Sequence, residues 1–570
     1  MYTDILPTRS NPLRFGIMCT GTTFPAWEAD CIRKLVATGI AIPALLIIDS
    51  RKPGLDSAAR ETGFNKLSSL FRHTALTMSK TMKAVDMTME LEHVAKITCS
   101  VQVDGRHPGP AGESDVRQIR KFNLDFILKF GSYTVTDHVL SLPKYGLWSF
   151  RHGDETKYCG SPPAFWEICD GNPTTRATLQ RIINQSDAGI VMKQGSFPTT
   201  NHSYKSSLNR VLTDIAAWPA QVCLDIEHGS ARYLEPRRPS AKVPNRKDPS
   251  NLQIIIMILK TWRNLAAKFF RLILRHEEWA IGIANAPITA FVNAKTLPEI
   301  HWLPIRARGH YVADPFGFVD DNETIILCEE YDYWRSHGVI SKYSGQDVES
   351  IAYRGNVFDT AHHLSYPFLF WDERELYCIP ESSEARHVKL YKATPSVSSW
   401  EEAATLLSNF AAADSTVVNH DGRWWLFCTN ADDGRQDKLF IWHSETLLGP
   451  WQPHMCNPVK IDVRSARPAG TPFHFDGDLY RPAQNCSITY GGRISLNKVT
   501  RLTTTTFEET VCNVIGPAVD GKYTDGMHTL SRFGEEMTLV DGKRYRFFTG
   551  GFFHALKLGL RSPFSKKGNA

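Results

Sequence analysis

This sequence of 570 residues has no long hydrophobic run and no strong excess of charge of either sign. Its longest uninterrupted apolar run, Ile254–Leu259, is far shorter than the ~20 residues that cross a bilayer, so we expect no membrane-spanning helix. The opening stretch MYTDILPTRSNPLRFG lacks the apolar core of a signal peptide. A net charge of +5 is small for this length, so no nucleic-acid partner is expected. Together these absences predict a cytoplasmic protein of ordinary globular composition.

Paired cysteines and nucleotide-binding loops are also missing. None of the twelve cysteines forms a CxxC pair or a tight cluster, which favours reduced thiols. Neither a GxGxxG nor a GxxxxGK[ST] stretch occurs, so neither a dinucleotide nor ATP is indicated. The adjacent His362 and His363, like the other histidines, lack the spacing of metal ligands, and no metal is predicted.

A repeat of about fifty residues occupies the C-terminal half of the sequence. An apolar strand, an acidic turn and a second strand recur as DPFGFVDDNETIILCEE, YPFLFWDERELYCIPES, STVVNHDGRWWLFCTN, GTPFHFDGDLYRPAQ and, more loosely, EEMTLVDGKRYRFFTGG. Cys328, Cys378 and Cys428 fall at the same point of three successive units. Repeats of this length with paired strands are typical of β-propeller blades. The five units therefore predict an all-β five-bladed propeller over residues 277–570.

Residues 1–233 alternate strand and helix patterns instead. The runs LRFGIMCT and IPALLIID are apolar, as in buried parallel strands, and AWEADCIRKLVATG between them has helical spacing. AKITCSVQV and LDFILKFG are further strand candidates, separated by the short helix pattern ESDVRQIRKF. This alternation predicts an α/β domain with a Rossmann-type sheet.

The segment between these domains, 234–276, begins with the proline-rich, basic linker LEPRRPSAKVPNRKDPS. A helix pattern follows whose basic residues fall within about 140° of arc: Lys260, Arg263, Lys268, Arg271 and Arg275. One interpretation is a connector helix packed between the domains. The other is peripheral contact of 251–276 with anionic lipid at the inner membrane surface, which a basic face beside Trp262 suits.

The segment FNLDFILKFGSYTVTDHVLSLPKYGLWSFRHGDETKYCGSPPAFWEI, with NQSDAG further on, resembles the folate-dependent formyltransferases. That family includes methionyl-tRNA formyltransferase and the sugar N-formyltransferases. Its asparagine and histidine polarise the formyl carbonyl and handle protons, while an aspartate orients the histidine. The resemblance aligns His152 with the histidine and Asp187 with the aspartate, and Ser149 stands in place of the asparagine. It implies 10-formyltetrahydrofolate as cofactor of a domain that is either active or degenerate.

The repeats carry a second resemblance. ADPFGFVDD, HLSYPFLFWDERELYCIPESSE, DSTVVNHDGRWWLFCTN and DGMHTLS resemble the five-bladed propeller of furanosidase-type glycoside hydrolases. They are more closely similar to the propeller domain found with plant glucosamine inositolphosphorylceramide transferases. The hydrolase resemblance implies that Asp314, at the start of the first unit, acts as the base.

Polar residues at strand ends of separate units predict a site at the propeller axis. Asp314 and Asp414 open the first and third units, and Glu381 ends a strand of the second, where it is the candidate acid. Such acids also cap turns in many propellers, which is the alternative interpretation. The predicted substrate-binding residues are Glu330, Arg467, Arg481, Gln484, Asp525 and His528.

Three functions fit these patterns. A carbohydrate-active transferase of surface-glycan or glycolipid biosynthesis would process a sugar or sugar-phosphate on the propeller and use the N-terminal domain for formyl transfer or sugar binding. A glycoside hydrolase with an inert N-terminal domain is one alternative, and a non-catalytic sugar-binding scaffold is the other. The arginine-bearing stretches ARPAG and YRPAQ favour the transferase, because guanidinium groups suit a phosphate-linked sugar.

Overall fold

The computed structural model divides the chain into two compact units, Met1–Leu265 and Ala266–Ala570. It describes residues 11–49, 70–71, 74, 79–99, 103–104, 107–108, 113–131, 137–153, 162–183, 189–234, 249–307, 309–319, 323–394, 397, 399–518, 521–547, 549 and 552–553. Most of the proline-rich linker lies outside these residues. The predicted fold class, an α/β domain followed by a five-bladed propeller, is confirmed.

A seven-stranded sheet forms the centre of the N-terminal unit. The strands of this unit are β1 Leu13–Cys19, β2 Thr23–Pro25, β3 Ala41–Asp49, β4 Ala84–Asp86, β5 Ala95–Cys99, β6 Val103–Asp104, β7 His107–Pro108, β8 Phe126–Lys129, β9 Leu147–His152, β10 Thr174–Ile182 and β11 Gly189–Pro198. The large sheet has the order β11-β10-β9-β8-β1-β3-β5. Strands β5, β3, β1, β8 and β9 run parallel, and β10 and β11 add an antiparallel edge.

Helices accompany this sheet in the alternating pattern that the sequence predicts. They are α1 Ala26–Ala37, α2 Glu113–Arg120, α3 Asp137–Leu140, α4 Phe165–Asp170, α5 Tyr204–Ile215, α6 Trp218–Glu227 and α7 Asn251–Leu274. Helix α1 buries Trp27, Ile32 and Leu35, whose spacing places them on one face. No helix among the described residues is long and apolar enough to cross a membrane.

The second unit contains five four-stranded blades, one of which gains a short extra strand. The fifth blade begins with β12 His276–Ala284 and β13 Ile300–Trp302. The first blade consists of β14 His310–Val319, β15 Thr324–Asp332, β16 His337–Gly345 and β17 Ala352–Phe358, and the second of β18 Ser365–Asp372, β19 Glu375–Glu381, β20 His387–Ala393 and β21 Trp400–Ser408. The third consists of β22 Ala412–His420, β23 Arg423–Asn430, β24 Lys438–Ser444 and β25 Gln452–Pro453, and the short strand β26 Lys460–Ile461 also pairs with β24. The fourth is β27 Phe473–Phe475, β28 Asp478–Asn485, β29 Arg493–Leu502 and β30 Phe507–Ile515.

Strands from both ends of the second unit complete the fifth blade. Its order is β13-β12-β32-β31, where β31 is Leu530–Phe533 and β32 is Met537–Arg546. Strand β12 pairs antiparallel with β32 from His276 to Ala284. This pairing closes the ring, because the first and last parts of the propeller share one sheet.

Side chains of neighbouring blades interlock in the core. The ring of Phe316 in the first blade contacts Tyr366 and Phe368 in the second, at centroid distances of 4.8 Å and 5.5 Å. Cys328, Cys378 and Cys428 lie on the second strand of their blades and are 0% exposed. The repeated cysteines are therefore packing residues, small enough to fit between blades.

Candidate active site

Three residues of the inner strands of three blades share the same unusual conformation. Asp314, Tyr366 and Asp414 have φ angles of 51°, 43° and 53°, in the left-handed region. Each sits in a register shift of β14, β18 or β22, so the inner strand bulges there. Bulges redirect side chains and are frequent beside active sites, and left-handed non-glycine residues cost about 1–3 kcal/mol each. The propeller therefore maintains strained backbone at equivalent positions of three blades.

Asp414 is the centre of a buried ion-pair network that joins three blades. The guanidinium of Arg467 donates to both carboxylate oxygens of Asp414, at 2.5 Å and 3.0 Å. The side-chain amide of Gln484 donates to Asp414 Oδ2 at 2.7 Å. The backbone N–H of Asp414 donates to Glu381 Oε2 at 3.1 Å, and Ser383 Oγ donates to Glu381 Oε1 at 2.9 Å. The second, third and fourth blades thus meet at these side chains.

Asp314 is held by residues of the fifth blade. Thr529 Oγ1 donates to Asp314 Oδ1 at 3.0 Å, and His528 Nδ1 lies 3.6 Å from the same oxygen. His528 Nδ1 also pairs with Asp541, whose Oδ1 accepts the backbone N–H groups of His528 and Thr529. The Trp279 ring stacks on His528 at a centroid distance of 3.9 Å. First and fifth blades therefore share a buried carboxylate–histidine–carboxylate cluster.

Burial controls the charge states of these acids. It raises the pKa of Asp314 to about 6, an effect that His528 opposes and Asp414 reinforces. It also raises the pKa of Asp414 to about 6, although Arg467 acts against the rise. The pKa of Glu329 is raised well above its usual range by burial and by the neighbouring carboxylates of Asp314 and Glu381. At neutral pH the cluster therefore offers both an ionised carboxylate and a protonated carboxylic acid.

The neighbouring Glu329 and Glu330 face opposite sides of β15. Glu329 Oε1 lies 3.5 Å from His363 Nε2 and interacts electrostatically with the axial acids. Glu330 instead accepts from Arg306 at 3.1 Å and from Ser341 Oγ at 2.8 Å, away from the axial acids. Successive side chains of a strand alternate between its faces, so only one of the pair can face the axis. The structure thus places Glu329 with the axial acids, and it does not bring the predicted substrate-binding residue Glu330 together with them.

Two other predicted substrate-binding residues lie apart from this cluster. Arg481 Nη2 donates to Glu509 Oε1 at 2.6 Å and to the Ser465 carbonyl at 2.7 Å, so its guanidinium is bound within the fourth blade. Asp525 accepts the backbone N–H of Tyr545 at 2.9 Å and lines a separate cavity of about 360 Å³. The structure therefore does not bring either side chain together with Asp314, because both are engaged by their own blade or its neighbour.

Several axial residues escaped the sequence analysis. Tyr366 is 0% exposed, accepts the N–H of Gly470 at 2.6 Å and shares a hydrogen bond of 3.1 Å with Thr416. Its position in SYP, matching ADP of the first unit, is the signal that could have found it. Asp541 lies in an ordinary VDG turn pattern of the last repeat, and that pattern carries no such signal.

A metal ion has one possible site among the described residues. Ligand atoms of Asp314, His528 and Asp541 lie within 4.8 Å of one another. The sequence analysis predicted Asp314 and His528 at the axis but did not find Asp541, the third member of this group. In the structure these acids accept hydrogen bonds from Thr529 Oγ1 and from the backbone N–H groups of His528 and Thr529, so a metal ion bound there would add to or replace these contacts.

A cavity of about 740 Å³ opens between the fifth and first blades. Its lining includes Arg306, Lys522, Arg544 and Arg546 beside Glu277 and Glu278, with Tyr333 and Phe547. Tyr333 Oη donates to the Glu277 carbonyl at 2.8 Å, and the Glu277 carboxylate lies 3.4 Å from Lys543 Nζ. Lys543 in turn lies 5.0 Å from the Trp279 ring that covers His528. Cavity and axial cluster are thus linked through Glu277 and Lys543.

In the N-terminal unit, Ser149 and His152 lie on β9 and Asp187 falls outside the described residues. Ser149 is buried and pairs across the sheet with Gln180. His152 packs against Trp27 at a centroid distance of 6.2 Å, and its Nδ1 finds no hydrogen-bond partner within the described part of the chain. Burial lowers the pKa of His152 to about 4, which keeps the imidazole neutral.

Residues 299–524 match the family model described as "Glucosamine inositolphosphorylceramide transferase 1, N-terminal". The propeller is similar to this family. Glucosamine inositolphosphorylceramide transferase 1 of Oryza sativa subsp. japonica is 36% identical over 211 residues, which is 36% of this chain and 28% of that protein. The Arabidopsis thaliana protein of the same name is 32% identical over 304 residues, 50% of this chain and 38% of its own length. The chain thus spans well under half of these curated relatives.

Two weaker similarities accompany this one. Methionyl-tRNA formyltransferase of Agathobacter rectalis is 26% identical over 153 residues, 26% of this chain and 48% of that protein. Among solved structures, the catalytic domain of Coprinopsis cinerea GH62 alpha-L-arabinofuranosidase has 13% identity and a TM-score of 0.30, over 40% of this chain and 78% of that one. The expected resemblance to the glucosamine inositolphosphorylceramide transferases is confirmed, and so is the expected resemblance to the formyltransferases, which is weak and partial.

Proposed function

We propose that this chain is a carbohydrate-active transferase of glycolipid or surface-glycan biosynthesis whose propeller processes a phosphate-linked sugar. The observation that carries the proposal is the convergence of side chains from all five blades on one buried cluster. The names of the plant relatives describe transferases for an inositolphosphorylceramide, which is a phosphate-bearing lipid. A phosphate-linked sugar and a lipid acceptor are therefore substrates that suit the polar groups of this propeller.

The protonation states of the axial acids suit two different catalytic roles. Asp314 is the proposed base, because its pKa of about 6 leaves it ionised at neutral pH and still able to accept a proton. Glu329 is the proposed acid, since burial and nearby carboxylates keep it protonated. Glu381, the acid expected from the sequence, instead accepts from Asp414 N–H and Ser383 and so positions Asp414.

The phosphate of the substrate finds its proposed partners in the cavity of about 740 Å³ rather than at Arg467 or Arg481. Both of those arginines are buried against carboxylates, so a phosphate would have to displace Asp414 or Glu509. Arg306, Lys522, Arg544 and Arg546 line the cavity. Arg306 pairs with Glu330, and Arg544 and Arg546 pair with Glu278, but the side chains of Arg306 and Arg546 are 43% and 59% exposed, so a phosphate can reach them from solvent. Guanidinium groups recognise phosphate oxygens with paired N–H donors.

The proposed location is the cytoplasm, in peripheral contact with the inner membrane surface through residues 251–276. A lipid-linked acceptor presents its head group at such a surface. The basic helix α7 lies within this segment and supports the proposal.

The N-terminal unit is, in this proposal, a formyltransferase-like domain without the complete catalytic set. Ser149 supplies a hydroxyl where the family has a carboxamide, and burial lowers the pKa of His152 to about 4, which makes its imidazole a weak proton acceptor. The described residues therefore do not fit 10-formyltetrahydrofolate chemistry, and we assign this unit no formyl-transfer step. Release of tetrahydrofolate when the full chain is mixed with 10-formyltetrahydrofolate and an amino sugar would contradict this assignment.

Asp314→Asn tests the propeller site. We expect turnover of nucleotide-linked or lipid-phosphate-linked hexosamine, followed by mass spectrometry, to fall about 10²–10⁴-fold, because the base is lost while the shape is kept. Asp421→Asn is the matched control: Asp421 has the same left-handed backbone, φ 53°, but its side chain is 86% exposed at a hairpin turn. Unchanged turnover in Asp314→Asn would reject the axial site.

A further inference from the structure

Helix α7 exposes an unusual number of large apolar side chains. Those between 37% and 69% exposed are Leu252, Ile255, Ile256, Ile258, Leu259, Trp262, Leu265, Phe269, Phe270, Leu272 and Leu274. Soluble monomers rarely leave contiguous apolar patches larger than a few hundred Å² open to water. We therefore expect these apolar side chains to contact an apolar environment in the functional state of the protein.

Seven of the eleven exposed residues share one face of the helix, and the other four lie within about 40° of its edges. At 100° per residue, the ones that define the face fall within about 120° of arc: Leu252, Ile255, Ile258, Leu259, Trp262, Phe269 and Phe270. The buried residues Ile254 and Met257 lie on the other side. On that side Lys260 Nζ donates to the Cys169 carbonyl at 2.5 Å, and Asn264 Nδ2 donates to the Asn201 carbonyl at 3.1 Å. One face thus attaches the helix to the N-terminal unit and leaves the apolar face outward.

The charge of the helix indicates whether a second copy of the chain or a lipid surface covers the apolar face. Residues 251–275 contain five basic residues and no acidic one. A second copy of this helix would bring positive charge against positive charge, whereas anionic head groups complement it. Arg263 lies about 20° beyond the edge of the apolar face, where a long side chain can reach a phosphate while its stem stays in apolar surroundings.

We propose that the outward apolar face of α7, defined by the seven residues above, lies flat in the interface of a bilayer that contains anionic phospholipid. The helix lies along the surface, since no helix of the described ranges has the length and apolarity to cross a membrane. This inference rests on the proposed membrane location, and it is independent of the sugar chemistry at the propeller.

Vesicle co-sedimentation of the purified full chain tests the proposal. We expect binding to phosphatidylcholine vesicles containing phosphatidylglycerol and little binding to phosphatidylcholine alone. The triple variant Trp262→Ser, Phe269→Ser, Phe270→Ser should lose binding at least about tenfold. Arg263→Gln, at the edge of the apolar face, should weaken binding to the anionic vesicles about fivefold. Lys268→Gln, Arg271→Gln, on the opposite side of the helix, should have a smaller effect for each charge removed. The control Trp334→Ser, Trp371→Ser removes tryptophans that are 58% and 53% exposed on the propeller and should bind as the parent does.

Each result decides the question. Circular dichroism serves to check that the variants keep their fold. We expect them to do so, because the substituted side chains are exposed. Absence of parent binding to the anionic vesicles overturns the proposal. It would also be overturned if light scattering showed that the parent is a dimer, that the triple apolar variant is a monomer, and that neither protein binds vesicles. Vesicle binding without sugar turnover would count against the proposed function alone.

Discussion

At the scale of single residues, the axial acids combine strained backbone with unfavourable burial. Asp314 and Asp414 are 4% and 1% exposed and hold left-handed φ angles. Short polar residues such as Asp tolerate this conformation better than most residues do. Tyr366 adopts it as well, although its side chain is bulky. Strain of this kind persists only where surrounding contacts over-determine it, and here Thr529, Arg467 and Gly470 supply those contacts.

The raised pKa of Asp314 predicts how stability depends on pH. Its pKa rises from 3.8 to about 6 on folding, so the folded state binds the proton more tightly and Asp314 destabilises the protein progressively as pH rises through that window. Asn does not titrate. We therefore expect the melting temperature of Asp314→Asn, relative to the parent, to increase between pH 4 and pH 7 when followed by tryptophan fluorescence. A difference that is constant over this range would contradict the assignment.

The Asp414–Arg467 pair predicts a strong coupling between the two side chains. Arg467→Met leaves the Asp414 carboxylate buried without its cation, which is expected to cost about 3–5 kcal/mol of unfolding free energy. The double variant Arg467→Met, Asp414→Asn removes the orphaned charge and should recover most of that loss in urea denaturation. Equal losses in the single and double variants would contradict the view that the unpaired Asp414 charge causes the loss, and the Asp414→Asn single variant completes the cycle.

At the scale of elements, the inner strands are held together across blades as well as within them. Thr471 N–H donates to the Leu530 carbonyl at 3.0 Å, and Leu530 N–H donates to the Ala469 carbonyl at 2.8 Å. Gly470 forms a parallel bridge with Leu530 and also donates to Tyr366 Oη. The second, fourth and fifth blades therefore meet at one glycine, whose φ of 122° and close neighbours exclude a side chain.

Substitution of this glycine should loosen the contact between blades. In Gly470→Ala the new Cβ would overlap the Leu530 carbonyl, in addition to the strain of the positive φ. Gly477→Ala is the matched control, because Gly477 has a φ of 80° and nothing within 4 Å of the added Cβ. We expect a loss of about 1–2 kcal/mol in the control and a clearly larger loss in Gly470→Ala, measured by urea denaturation. Equal losses would refute a steric role for this contact.

At the scale of the whole propeller, closure depends on pairing between segments far apart in sequence. Strand β12 pairs with β32 along nine residue pairs, from His276–Arg546 to Ala284–Thr538. Asp541 on β32 also binds His528, so the same strand that closes the ring completes the axial cluster. Structural closure and the candidate site therefore depend on one element.

Deletion of residues 537–570 tests this dependence. The truncated chain loses β32, the partner of β12, and we expect its propeller to lose cooperative unfolding and to become sensitive to protease. Deletion of residues 554–570 alone leaves in place every strand that the structure describes, and this shorter chain should unfold as the parent does. A protease-resistant propeller without β32 would mean that the ring does not depend on this closure.

The sequence by itself determined the fold class and the number of blades, because strand alternation, acidic turns and the spacing of Cys328, Cys378 and Cys428 are local patterns that repeat. It also indicated Asp314, Glu381 and Asp414 as neighbours, since equivalent strand ends meet at a propeller axis. Only the tertiary structure decided that Glu329 rather than Glu330 faces that axis, and that Arg467 binds Asp414 while Arg481 binds Glu509. Those outcomes depend on which face of a strand a side chain occupies and on pairing between distant segments. A single local pattern encodes neither.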